Sequence, residues 1–159
     1  MEFDRILLAL RLVAEVETHL PKPDNLNPAK LFKDAEQCVQ YDHCIVCRLA
    51  ETSQADSRLE QHHVAGKVLG SHNFPDTITV CDGCHEYLSD FQKAWLIMQA
   101  DSATCLSSYF FGWMDIFNLL CQQTQSLYYC RLASKFRSQG WYIRNGIKNR
   151  RLAQDVITA

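Results

Sequence analysis

Two cysteine pairs, Cys44/Cys47 and Cys81/Cys84, limit this chain more than any other feature. A C-x2-C turn presents two thiolates from one tight knuckle, and two knuckles complete a tetrahedral shell for zinc. In the second pair, CDGC, Gly83 supplies the turn chemistry. A full shell has no open position, so the expected Zn2+ is structural and takes no part in chemistry. Between Cys47 and Cys81 lie 33 residues. A simple zinc ribbon has roughly 15–20 there, so a further piece must fold between the knuckles. The other four cysteines, Cys38, Cys105, Cys121 and Cys130, stand in apolar, helix-like sequence and read as small buried hydrophobes.

The rest of the chain supplies enough apolar material for a core. Hydrophobic residues make up 47% and charged residues 21%, a balance that argues against disorder. The opening MEFDRILLALRLVAEV is not expected to act as an export signal: Glu2 and Asp4 spoil the basic start and Arg11 interrupts the apolar run. The longest charge-free run, Ile116 to Cys130, is shorter than a bilayer span. The protein is therefore expected to be cytoplasmic, in a reducing compartment and without a membrane partner, which favours metal over disulfides.

Periodicity predicts an amphipathic helix over residues 3–20, with Phe3, Ile6, Leu7, Leu10, Val13, Val16 and Leu20 on one face. Asn27 followed by Pro28 predicts a second helix start. The runs RLEQHHVAG and TITVC read as an antiparallel strand pair, and HEYLSDFQKAWLIMQA as a helix. Two or three helices are expected over residues 102–139, stopped at Gly140, with a basic segment beyond that breaks near Gly146. The aromatic run SSYFFGWMDIFNLL reads as core of a helical bundle or as a dimer contact.

Charge is unevenly spread. The net charge is −2, yet residues 135–159 hold six Lys/Arg against one acid. Arg144, Lys148, Arg150 and Arg151 are thus expected to meet a polyanion.

Between and around the knuckles, LEQHHVAGKVLGSHNFPDTITVCDGCHEYLS resembles an HNH endonuclease motif of the ββα-metal type, in the subgroup with two zinc knuckles. The resemblance covers residues 44–90 and rests on ordered elements: knuckle, strand ending in His-His, loop, strand, second knuckle, and Cys-His opening a helix. It implies an α+β, mostly helical fold, with a small treble-clef ββα-metal module flanked by N- and C-terminal helices. The boundaries expected are N-terminal helices over 1–40, the zinc-stapled module over 41–100, and a C-terminal helical extension with a basic tail over 101–159.

The resemblance also implies hydrolysis of DNA phosphodiester bonds. It makes His63 the general base, and His62 and His85 the ligands of a divalent ion (Mg2+, Mn2+, Ni2+ or Zn2+). Two positions depart from the family pattern. Its middle asparagine falls on Asp76, for which Asn73 could stand in, and its last ligand falls on Ser89. Adjacent strand residues point to opposite faces, so His62 and His63 share a site only where the strand bulges or ends. Two rival expectations are a non-catalytic zinc module binding nucleic acid or protein, and a helical protein forming a homodimer through its C-terminal helices.

Overall fold

The computed structural model describes residues 4–49, 58–66, 75–95 and 102–158, with backbone alone at 49, 102–104 and 147–158. Helix α1 (Arg5–Glu17) begins where Asp4 Oδ1 accepts the N–H groups of Ile6 and Leu7, at 3.1 and 3.0 Å. Its residues Ala9, Leu12, Val13 and Val16 are buried. Helix α2 (Pro28–Glu36) starts as its sequence predicts. Asn27 Oδ1 accepts the Lys30 N–H at 3.2 Å, and Pro28 takes a position where a missing N–H is harmless.

The end of α2 corrects one expectation. Cys38 adopts a φ of 52°, with its N–H bonded to the Ala35 carbonyl and the Val39 N–H to that of Asp34. That pattern normally carries glycine. Cys38 is accordingly exposed, not buried, and its thiol donates to the Pro75 carbonyl at 3.1 Å.

A short helix, α3 (Ile45–Leu49), grows out of the first knuckle. Strands β1 (Leu59–His63) and β2 (Thr77–Cys81) pair antiparallel, with Leu59 opposite Cys81 and His63 opposite Thr77. The Asp82 N–H on the Arg58 carbonyl and the Val64 N–H on the Asp76 carbonyl, each 3.0 Å, prolong the ladder at both ends. Helix α4 (Asp82–Trp95) leaves β2 without a gap and lies across both strands. Helices α5 (Ser102–Thr124) and α6 (Leu127–Thr158) form a hairpin. The described residues are thus mostly helical, with one two-stranded antiparallel sheet.

Core and hairpin settle the aromatic run in favour of packing. Tyr109, Phe110, Phe111, Trp113 and Phe117 are buried within the chain, and Phe32 of α2 meets Trp113 edge-on at 4.8 Å. Burying such side chains contributes roughly 1.5–3 kcal/mol each. The α5–α6 turn places Gln125 at φ 56°, and a Cys121–Cys130 disulfide spans it. Those two cysteines are therefore bridged, where the sequence reading made them unpaired core residues; Cys105 is buried as expected.

Gly140 does not stop α6, and neither does Gly146 break it. A Cβ at Gly140 would stand 2.8 Å from Phe111 Cε1, so this glycine serves close packing within a continuous helix. Gly112 serves the sheet in the same way: a Cβ there would lie 1.8 Å from the Val64 carbonyl oxygen, just past the end of β1. Among the described residues no helix is long and apolar enough to cross a membrane.

These two kinds of glycine predict opposite mutational effects. Gly112→Ala must displace the end of β1 and is expected to cost about 2 kcal/mol or more in urea unfolding. Gly146 has nothing within 4 Å of the added Cβ. Gly146→Ala is expected to stabilise by up to about 1 kcal/mol through helix propensity alone.

Candidate metal centre and histidine cluster

The sequence brings four sulfurs to one point by using three different elements. Cys44 precedes α3 and Cys47 lies within it, Cys81 ends β2, and Cys84 sits in the first turn of α4. All four are buried, with sulfurs within 4.8 Å of one another. Cys47 Sγ lies 3.8 Å from that of Cys81 and 3.4 Å from that of Cys84. A tetrahedron with Zn–S bonds of ~2.3 Å has edges of ~3.8 Å. The quartet can hold a metal ion such as zinc.

The electrostatics favour the same donor set. The Cys84 thiol donates to Cys44, and with the backbone N–H groups of Cys47 and Cys81 it lowers the Cys44 pKa to about 5. The Cys47 N–H points at Cys44 Sγ from 3.4 Å, the internal bond of a C-x2-C knuckle. Cys84 is pushed up in turn, because its proton is held by the other sulfurs. A divalent ion replaces such shared protons directly. Among the described residues, no other group of three or more His, Cys, Asp or Glu side chains is gathered this way.

Beside the quartet, His85 follows Cys84 on α4 and faces β1. Its ring meets that of His62 edge-on, with centroids 5.3 Å apart. His85 Nδ1 donates to Glu60 Oε2 at 3.0 Å. Glu60 lies two residues before His62, on the same strand face. His62 is 3% exposed, and its pKa falls to about 3, through burial first and then through His85 and His63. It is neutral at any physiological pH. Gln92, two turns beyond His85 on α4, places its Nε2 2.9 Å from His62 Nε2 and 2.6 Å from the His63 carbonyl oxygen.

His63 lies on the other face. The regular register sets it opposite Thr77, on the side where Gln61 bonds Thr77 and Thr79. No bulge brings it round to His62.

Asp76 is wholly buried and paired with Arg5 of α1, whose Nη2 lies 3.0 Å from Oδ2; Glu36 holds the same guanidinium at 3.2 Å. Burial raises the Asp76 pKa, and the Arg5 charge opposes that rise. Ser89 lies on α4, half-buried. Asn73 lies outside the described residues.

Arg144, expected to face a polyanion, is buried instead. Its Nη2 donates to the Trp95 carbonyl at 2.9 Å, closing the end of α4, and its guanidinium lies over Phe111 and Trp141. Trp95 in turn donates its Nε1 to Asp115 of α5 at 2.6 Å. Lys148, Arg150 and Arg151 lie on the last turns of α6, where the backbone alone is described.

The sequence reading missed Glu60, Gln92 and Arg5. Strand alternation from His62 gives the first, and two helical turns from His85 give the second. Nothing local announces Arg5, which is 71 residues from its partner. No protein-family model, curated protein or solved structure matches the chain.

A metal-filled quartet predicts that the fold depends on it. Purified protein is expected to carry one zinc per chain by elemental analysis. Cys81→Ser or prolonged chelation should abolish the cooperative melt, since zinc in such sites is worth ~10–16 kcal/mol. A melt unchanged after complete metal removal contradicts this.

Proposed function

We propose that the chain is an HNH-type endonuclease of treble-clef, ββα-metal architecture that hydrolyses DNA phosphodiester bonds. One observation carries the reading: two imidazoles 23 residues apart in sequence, His62 and His85, stand ring to ring beside a cysteine quartet. In this reading the quartet holds structural Zn2+, and His62 and His85 are the residues that would hold a divalent ion. Such an ion supplies Lewis-acid stabilisation of the phosphate and the leaving oxygen. The donor set suits it, being a neutral His62 and a His85 whose Nδ1 is oriented by Glu60.

His63 is the general base, taking a proton from the attacking water. Asp76 acts as a positioning residue. Its carbonyl accepts the Val64 N–H next to His63, and its carboxylate is anchored by Arg5. Lys148, Arg150 and Arg151 extend the contact along the DNA backbone; Arg144 is excluded from that set by its burial.

A second reading, a zinc module that binds nucleic acid or protein without cutting, is favoured by a specific observation. His62 accepts a hydrogen bond from Gln92, and His63 lies on the opposite strand face.

Nicking of supercoiled plasmid separates the two. The wild type is expected to nick with at least one of Mg2+, Mn2+, Ni2+ or Zn2+, and His63→Ala to lose about 100-fold or more in rate. Equal cleavage by His63→Ala overturns the proposal. DNA retention without nicking selects the second reading.

A further inference from the structure

The amide of Gln92 stands where an ion on His62 has to reach. Its Nε2 lies 2.6 Å from the His63 carbonyl oxygen and 3.4 Å from that of Val64. Two carbonyl oxygens fix which end of the amide is nitrogen, because an oxygen placed there would face two acceptors that have no proton to give. The same nitrogen is 2.9 Å from His62 Nε2. An amide nitrogen only donates, so His62 Nε2 is the acceptor and the ring proton resides on Nδ1. The Nε2 lone pair is therefore already engaged.

We propose that Gln92 is a latch on the histidine cluster: its amide holds the His62 lone pair and the His63 carbonyl together, and a divalent ion binds His62 only when that amide withdraws. The inference rests on the nuclease reading for the position of the ion. Gln92 can leave without backbone motion, since three side-chain torsions separate its amide from α4. Because one nitrogen serves both histidine residues, its departure releases the ligand and removes one hold on the end of β1 together. That end is also held by the Gly66 N–H on the His63 carbonyl at 3.2 Å, by the Val64 N–H to Asp76 bond and by the packing of Gly112. Ligand and base are thereby coupled, although they lie on opposite strand faces. Gln92 is a positioning residue in this scheme and touches no reacting atom.

Isothermal titration of the zinc-loaded protein with Co2+ tests the latch, using wild type, Gln92→Ala and the length-conserving Gln92→Met. Loss of one competing hydrogen bond is expected to tighten Co2+ binding about five-fold in both variants. Nitrogen-15 imidazole spectra of the wild type before cobalt should show His62 protonated at Nδ1. Equal or weaker Co2+ affinity in variants with wild-type zinc content overturns the latch, and so does a His62 protonated at Nε2. Absence of Co2+ binding in all three proteins overturns it and also removes the ion from the nuclease reading. Tighter binding in the variants without DNA nicking by any of them supports the latch and sinks the nuclease reading alone.

Discussion

Drawing Cys44, Cys47, Cys81 and Cys84 to within 4.8 Å fixes how β2 passes into α4, because Cys81 closes the strand and Cys84 lies three residues into the turn. That bend folds α4 back over the two strands. His85, the next residue, then has to face Glu60 and His62. Two five-residue strands do not hold together unaided in water. An ion held by the quartet, worth ~10–16 kcal/mol in sites of this kind, would reverse that balance and make the small sheet a rigid platform.

The surrounding helices secure the edges of this platform rather than its centre. Arg5 of α1 reaches Asp76 at the start of β2, Arg144 of α6 closes the carbonyl end of α4, and Gly112 of α5 lets a helix backbone meet the Val64 carbonyl. Each contact joins the elements around the cysteine quartet to a helix distant in sequence. The N-terminal, central and C-terminal segments accordingly share one hydrophobic core. Loss of Arg5 leaves a buried carboxylate without its cation, a change that typically costs 3–5 kcal/mol or about that.

Much of this was legible locally. Asn27–Pro28 announces α2, β-rich runs beside turn residues announce the strands, and the C-x2-C spacings announce the quartet, because each signal is carried by adjacent residues. What escaped was long-range or double-edged. Gly140 reads as a stop, yet a helix tolerates glycine where a neighbour such as Phe111 presses in. Arg144 reads as a phosphate contact, yet a guanidinium also closes helix ends and stacks on aromatic rings. Cys121 and Cys130 read as core, because only the hairpin reveals that their sulfurs meet. In the site, the pairing of His62 with His85 is what the resemblance implied, whereas the capture of His62 by Gln92 needs the packing of α4 on β1.

The central claim is that a metal bound by four sulfurs organises the sheet and α4 around the histidines. Zinc-edge X-ray absorption on the purified protein tests it most directly. The account predicts a shell of four sulfur scatterers at ~2.3 Å. A shell containing nitrogen or oxygen neighbours at ~2.0 Å would contradict it, by placing the ion on imidazole or water instead of the cysteine quartet.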